Sequence, residues 1–220
     1  MLFRSAPALP ATTLATYCYN SMFNGCTGLT TAPALPATTL ATYCYYDMFS
    51  GCKGLKTVPK LPATTLAEGC YQGMFYQCSS LTQTTTLPVT TMAKRCYMGM
   101  FSYCTSLTAV PALPATTLAD SCYNAMFKGC TRLTQVPRLR ATALPNQCYY
   151  DMFSGCTSIK LSSTRTGEYT QAYRIPTSGR VSKWYTFSVK NMFNGNGGTF
   201  TTDITPQTTY YLSSSNSIVG

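Results

Sequence analysis

A nine-residue block that recurs six times restricts the possible folds of this chain more than any other feature. The block reads Cys-Tyr-x-x-Met-Phe-x-x-Cys, and its copies follow one another at a step of 26 residues without slippage. The six copies occupy residues 18–26, 44–52, 70–78, 96–104, 122–130 and 148–156, and together they hold all twelve cysteines. A fixed period of this length is typical of a solenoid, in which each coil packs only on its two neighbours.

The first half of each unit has the pattern of a strand between two turns. In the third unit, residues 52–59 are β-branched near their end and closed by proline, which predicts a turn and a short strand. Residues 60–63 predict a second turn, because proline removes a backbone donor and stops the strand from continuing. The strands of successive units would then lie side by side and in parallel.

The second half of each unit predicts a helix of about three turns, over residues 64–75 in the third coil. Thr65 and Glu68 have the spacing of a capping box at its start. Three apolar side chains at i, i+4 and i+8 would share one face of this helix: Leu66, Cys70 and Met74. Several blocks place Gly before the second Cys, where a left-handed cap would turn the chain toward the next strand.

The repeat pattern changes after the sixth block. Residues 188–196 repeat the block and keep its Met-Phe pair, but Ser188 and Asn196 replace the two cysteines. We therefore interpret residues 1–161 as six repeats, the first of them truncated. Residues 162–220 are interpreted as a C-terminal cap with a degenerate seventh repeat, because a stacked core needs a polar end.

Three further expectations concern the two ends of the chain. We expect residues 175–176 to be the strand of the seventh repeat. The tail is expected to add one or two strands, over residues 200–204 and 208–212. Because residues 5–10 align with residues 31–36, we also expect the sequence to begin inside a repeat, as a piece of a longer array.

The full pattern resembles the BspA-like leucine-rich repeat family over residues 3–161. It reads Cys-x-x-Leu-x-x-(Val/Ala)-Pro-x-Leu-Pro, then Leu-x-x-x-Cys-x-x-x-Met-Phe-x-x-Cys. Two features depart from that family: the unit is longer, and the first Cys of each block replaces an aliphatic residue. The resemblance implies an α/β solenoid, a right-handed leucine-rich-repeat coil of short parallel strands and helices. It also implies a bacterial surface or secreted protein that adheres to host proteins, matrix or other cells.

The twelve cysteines are open to three interpretations. A disulfide inside a block is disfavoured, because Cys44 and Cys52 would lie about 12 Å apart along an ideal helix; the turn after Gly51 leaves such a bond open. A metal site is disfavoured because the chain has no His and no Cys-x-x-Cys pair. Burial as free thiols is favoured, since Cys behaves as a small apolar residue and would form two ladders in the core.

Composition argues against catalysis. Asp47 and Asp151 share a repeat position but lie four coils apart, roughly 20 Å at the spacing of strands, which is too far for a pair of catalytic carboxylates. A Ser or Cys nucleophile would lack its usual His base, and no phosphate-binding loop is present. We therefore predict that the protein is not an enzyme and uses no cofactor.

The tyrosines fall into two groups. One follows the first Cys of every block and predicts packing between adjacent helices, with its hydroxyl reaching water: Tyr19, Tyr45, Tyr71, Tyr97, Tyr123 and Tyr149. The other group varies from repeat to repeat and is the better candidate for aromatic contacts with a ligand: Tyr17, Tyr43, Tyr46, Tyr76, Tyr103 and Tyr150.

The candidate ligand surface lies on the strand face, where the positions after each repeat Leu are rich in Thr with some Gln, Lys and Arg. Its members are Thr31, Lys56, Thr57, Lys60, Gln83, Thr108, Gln135 and Arg138. The alternative is a solvated sheet face whose composition reflects only the β-propensity of Thr. The pattern does not identify a ligand.

Charge and hydropathy limit the possible partners. The net charge of +10 comes from scattered Lys and Arg rather than a basic patch, so nucleic acid is not the favoured partner. No apolar run approaches the ~20 residues that cross a bilayer. Two hypotheses remain: a non-enzymatic module that binds a protein or glycan at a bacterial surface, or a structural or receptor-binding part of a phage virion or other appendage.

Overall fold

The computed structural model describes residues 4–176, 187–199 and 207–220. Within these ranges helical geometry is confined to residues 187–189. The regular strands of these ranges are β1 Gln135–Pro137, β2 Lys160–Ser162, β3 Tyr169–Arg174, β4 Gly197–Gly198, β5 Thr209–Ser213 and β6 Ser217–Val219. The repeats are therefore built mainly from another kind of backbone.

Each repeat contains a ten-residue run of consecutive turns, which we call a turn ribbon. The six ribbons span residues 16–25, 42–51, 68–77, 94–103, 120–129 and 146–155. Along a ribbon the backbone N–H groups alternate between two kinds of partner. Cys18 donates three residues back to Ala15 O at 3.2 Å, whereas Tyr19 donates to Cys44 O in the next ribbon at 2.9 Å. The next coil thus completes the hydrogen bonding of the one before it.

The predicted helices are wrong, and the backbone dihedral angles give the reason. Every fourth ribbon residue has a positive φ, as at Gly69, Gly73 and Gln77 in the third coil. An α-helix requires negative φ throughout and returns each N–H to the carbonyl four residues back. The left-handed residues turn alternate N–H groups outward instead, toward the neighbouring coil. The predicted capping box is also replaced, since Glu68 Oε1 accepts from Tyr43 Oη at 3.3 Å.

The ribbons have a period of four residues, with two side chains inside the stack followed by two outside. Inward pairs contain the block residues, and the outward pairs end in the positive-φ residue. In the third coil, the inward side chains are fully or almost fully buried: Cys70, Tyr71, Met74, Phe75 and Cys78. Because the ribbon repeats every four residues, its inward side chains have the same i, i+4, i+8 spacing as the apolar face of an amphipathic helix.

Two aromatic ladders run through the core. The tyrosine rings that follow the first Cys stack on one another at 5.8–6.0 Å between centroids, and the phenylalanine rings at 5.5–5.8 Å. Packing between coils is therefore confirmed for these tyrosines. Their predicted solvent-facing position is wrong, because Tyr45 and its four successors are buried, and the Tyr45 hydroxyl has no partner among the described residues.

The strand halves are less regular than predicted. Within the described residues of the six repeats, a strand forms only as β1 and β2, while other coils are joined by single parallel bridges such as Ser5 to Thr31 and Thr39 to Thr65. Prolines are frequent in these segments and supply no N–H to a ladder. The stack is therefore held together mainly by the turn ribbons.

The C-terminal residues close over the last coils. The block at residues 188–196 continues the stack, since Phe153 N donates to Met192 O at 2.9 Å. β6 pairs in parallel with β1. In the second sheet the strand order is β3-β5-β2-β4, with β2 parallel to β4 and antiparallel to β5.

The C-terminal strands agree only in part with those predicted from the sequence. Strand β5 agrees with the predicted strand over 208–212, whereas residues 200–204 lie outside the described residues. The prediction that residues 175–176 form the strand of the seventh coil is wrong. β2 follows the sixth block at the position predicted for the strand of each repeat, so it is the strand of the seventh coil. It pairs with β4, which comes directly after the seventh block. The insertion therefore lies between this strand and its block.

Candidate binding groove on the turn ribbons

The predicted strand-face surface is exposed along the stack. Seven of its eight residues are exposed: Thr31, Lys56, Thr57, Lys60, Gln83, Thr108 and Arg138. Gln135 is half-buried because its strand, β1, pairs with β6 opposite Ser217. Thr108 Oγ1 donates to Thr82 O at 3.3 Å, so this hydroxyl also links two coils. These residues form a row along the stack rather than an enclosed site.

The variable tyrosines are brought together on the opposite half of the repeat, at the outward positions of the turn ribbons. Tyr43 and Tyr46 meet edge to face at 5.9 Å between ring centroids, and Tyr17 of the preceding coil stacks on Tyr43 at 5.1 Å. Tyr76 and Tyr103 form a second edge-to-face pair at 5.7 Å. Tyr150 is half-buried and lies at the same repeat position as Tyr46, four coils further on.

Glycine in the third coil makes room for this aromatic cluster. Tyr17, Tyr43, Gly69 and Arg95 occupy one repeat position in four successive coils, and all four have a positive φ. A Cβ on Gly69 would lie 2.1 Å from the ring of Tyr43, so the ring lies directly over the glycine backbone. This close approach lets the Tyr43 hydroxyl accept from Arg95 Nη1 at 3.3 Å, two coils away.

Arg95 and Glu68 complete the charged side of the cluster. Their side chains are 3.5 Å apart and more than a third exposed, so the ion pair itself contributes little stability. The hydrogen bond to Tyr43 raises the pKa of Arg95 above its ordinary value. Burial and the neighbouring Asp47 carboxylate raise the pKa of Tyr46, and burial raises that of Asp47. Tyr46 is thus a neutral hydrogen-bonding group close to the fixed cation of Arg95.

These side chains line an open groove of about 420 Å³. Its walls are Tyr17, Tyr43, Tyr46, Gln72, Arg95 and Met98. Gln72 Oε1 is buried and has no hydrogen-bond partner among the described residues. A buried acceptor without a donor is costly, so a ligand that donates a hydrogen bond there would be stabilised. The groove can therefore contact a polar ligand through aromatic surface, one acceptor and one cation.

Three of these wall residues were missed at the sequence level: Gln72, Arg95 and Met98. Gln72 and Met98 occupy the repeat position of Tyr46, and Arg95 occupies that of Tyr43. Aligning the repeats at 26 residues would have placed them in the same columns as the variable tyrosines. The sequence did not show that these repeat positions point outward, because their direction depends on the backbone of the turn ribbon.

The cysteines are all free thiols, and ten of the twelve are buried. The second Cys of each block after the first donates its thiol to the Phe carbonyl of the preceding coil, for example Cys52 to Phe23 O at 3.0 Å. Burial raises the pKa of the thiols of Cys44 and Cys52 to about 12. Cys18 is exposed and Cys26 is half-buried, which the prediction of twelve equivalent buried thiols did not anticipate.

In the seventh block, the residues at both Cys positions donate side-chain hydrogen bonds to the backbone, and that of Asn196 is the counterpart of the second-Cys bond. Ser188, in place of the first Cys, donates its hydroxyl to Pro145 O at 2.7 Å. The amide nitrogen of Asn196, in the orientation its neighbours require, donates to Phe153 O at 2.6 Å and Phe193 O at 3.1 Å. Both positions thus hold a small donor, and donation to the backbone is the property they share.

The described residues lack the features of two other kinds of site. In residues 4–176, 187–199 and 207–220, no three His, Cys, Asp or Glu side chains lie close enough to hold a metal ion. The same part of the chain contains no helix with the length and apolar character of a membrane span. Comparisons with protein-family models, curated proteins and solved structures give no match to this chain.

Proposed function

We propose that this chain is a non-enzymatic binding module, a leucine-rich-repeat type solenoid in which turn ribbons replace the helices. In this proposal the stack presents a protein or glycan ligand with the groove around Tyr43 and Tyr46. The observation that carries the proposal is the groove itself, which is lined by three tyrosine rings and by Gln72, whose buried Oε1 has no partner among the described residues. The resemblance to BspA-like repeats supports a bacterial surface or secreted location.

The side chains of the groove suit ligand binding better than catalysis. Carbohydrates and peptides both offer hydroxyl or amide donors for Gln72, apolar faces for the tyrosines and acceptors for Arg95. The exposed row on the strand face, from Thr31 to Arg138, supplies a second surface for multivalent contact. A rigid stack gains affinity from such repetition, because engaging one site raises the effective concentration at the next.

Binding to arrays of glycans and surface proteins tests this proposal. We expect saturable binding that falls at least tenfold in Tyr46→Ser. Tyr150→Ser is the matched control, because Tyr150 has the same repeat position but lies outside the groove, and we expect it to bind normally. A ligand whose affinity depends on Lys56 and Lys60 but not on Tyr46 would contradict the groove and locate binding on the strand face.

A second candidate is a structural role in a phage virion or other appendage. Stoichiometric recovery of the protein in purified virions or appendages, together with no saturable hit on the arrays, would support assembly over adhesion.

A further inference from the structure

A small pocket lies between the sixth coil and the strands that follow it. Its volume is about 280 Å³, and its walls come from the residues just after β1, from β3 and from β6. β1 pairs with β6 and β3 with β5, so the pocket lies between two separate sheets. Pockets that enclose a whole drug-sized ligand measure about 300–1,000 Å³. A pocket of this size therefore holds one end of a larger ligand.

Two arginine side chains line this pocket, Arg138 and Arg174, and both residues are exposed. Among the described residues, ion pairs form only within the turn ribbons, and neither of these arginines takes part. The carboxylate nearest in sequence to Arg174, that of Glu168, accepts a hydrogen bond from Ser213 Oγ at 3.1 Å. Two like charges at the mouth of one cleft concentrate a potential that attracts an anion.

The backbones that carry the two guanidinium groups are fixed in place. Arg138 N donates to Val219 O of β6 at 2.8 Å, and Arg174 lies in β3, which pairs with β5. The hydroxyl of Tyr173 donates to Pro137 O at 3.0 Å and thus joins β3 to the end of β1. The two charges are therefore mounted on strands that are tied to each other.

The floor of the pocket is mainly aliphatic. Leu139 is buried there, and Pro176 and Ile218 are half-buried. An inorganic anion would leave this apolar surface uncovered. A carboxylate attached to an aliphatic group matches both parts of the pocket. Its two oxygens accept parallel hydrogen bonds from a guanidinium, and its aliphatic group removes the floor from water.

We infer that this pocket binds the free C-terminus of a polypeptide whose last side chain is aliphatic. The terminal carboxylate lies between Arg138 and Arg174, and the last side chain packs on Leu139 and Ile218. The rest of the peptide leaves along β3, which is the outer strand of its sheet in the described part of the chain. Capture of a terminal carboxylate and pairing with an edge strand are both established modes of peptide recognition. The site shares no residue with the groove around Tyr43, so the two are tested independently.

Calorimetric titration of the intact protein with short synthetic peptides tests this site. The probe is acetyl-Gly-Gly-Leu with a free carboxylate, and the matched peptide ends in a carboxamide. We expect saturable binding of the acid, at least tenfold tighter than that of the amide, because the amide brings no charge to the two guanidinium groups. Acetyl-Gly-Gly-Gly is expected to bind at least threefold more weakly than the leucine peptide, because it leaves the floor uncovered.

Arginine variants link this binding to the pocket. Arg138→Gln and Arg174→Gln are each expected to weaken binding of the leucine peptide at least fivefold. Arg132→Gln is the matched control and should bind normally, because it removes the same charge from an exposed residue of the sixth coil that does not line the pocket.

Several results would overturn the inference. An equal loss in all three variants would show attraction by net charge alone. Binding of isocaproate or inorganic phosphate as tightly as the leucine peptide would show that the pocket takes a free anion and not a peptide terminus. Equal affinity for the acid and the amide, equal affinity for the leucine and glycine peptides, or no saturable binding of the acid would each contradict the assigned ligand.

Discussion

The thiol of Cys104 donates a hydrogen bond to the carbonyl oxygen of Phe75, 3.1 Å away in the preceding coil. The same bond recurs at 3.0–3.1 Å along the whole ladder of second cysteines. The seventh block replaces the thiol by the amide of Asn196, which donates to the equivalent Phe153 O. The second cysteines of these blocks are therefore donors that link coils, and not only small apolar residues.

Substitution of Cys104 separates these two roles. Cys104→Ala removes the donor and leaves a small cavity, and we expect it to lower the free energy of unfolding by about 1–3 kcal/mol. Cys104→Ser keeps a donor and is expected to cost less. Urea unfolding of both variants measures the difference, and a larger loss for Ser than for Ala would show that only apolar burial matters at this position.

The reactivity of the thiols follows their burial. In the native protein at pH 8 we expect Cys18 to react fastest and Cys26 more slowly, because only these two are not fully buried. The ten buried thiols are expected to react only on unfolding. Thiol counting with a chromogenic disulfide reagent gives about two native equivalents, and all twelve in denaturant without reductant. Fewer than twelve under denaturing conditions would reveal disulfides.

Stability is expected to fall in alkali. Burial raises the pKa of the Cys52 thiol from its ordinary value of 9.0 to about 12. The unfolded chain therefore loses this proton first, and the stabilisation that is present in full below pH 9 is lost as the pH rises toward 12. Each such thiol contributes a slope of about 1.4 kcal/mol per pH unit between these values.

Denaturant titrations between pH 9 and pH 11 measure this slope. Cys52→Ser removes one titrating thiol and should make the decline in unfolding free energy shallower by the slope of one group. An unchanged slope in this variant would contradict the assignment to Cys52.

Ala125 distinguishes a turn ribbon from a helix. Its φ is +53°, and its N–H donates to Tyr150 O of the next coil at 2.8 Å. A left-handed conformation costs an L-residue about 1–2 kcal/mol, which glycine avoids. We expect Ala125→Gly to raise the melting temperature, by a net stabilisation of about 0.5–1 kcal/mol. In a helix the same change would cost about 1 kcal/mol.

Ala119 is the control for that substitution, because it lies just before the same ribbon and its φ is not positive. We expect Ala119→Gly to lower the melting temperature. If both variants were destabilised, the left-handed geometry at Ala125 would be wrong.

Asn216 holds the C-terminal strand in place. Its amide donates to Thr134 O at 3.0 Å and Ser158 O at 2.9 Å, and its carbonyl accepts from Lys160 N at 2.8 Å. Asn216→Ala removes three hydrogen bonds of a buried group, at about 1 kcal/mol each. We expect faster hydrogen exchange at the amide of Arg138, which donates to Val219 O. The exposed Ser217→Ala is the control and should leave that exchange unchanged.

The candidate site was only partly predictable from sequence. Tyr43 and Tyr46 stood out because they vary while the block around them is constant. Arg95, Gln72 and Met98 did not, because they lie 26 to 55 residues away from these tyrosines and meet them only when the coils stack. The contact between Tyr43 and Arg95 further requires Gly69 between them, whose missing side chain leaves space for the ring.

The sequence by itself determined the 26-residue coil and the two cysteine ladders, because a strict period places equivalent residues one above another. The sense in which the coils wind stays a prediction. Only the tertiary structure decided the backbone of the block, since i, i+4, i+8 spacing suits both a helix and a ribbon with a period of four. Residues such as Tyr43 and Arg95 adopt positive φ because alternate N–H groups then find carbonyls in the next coil. An isolated 26-residue unit has no such partners, so its own sequence does not specify a positive φ at these residues.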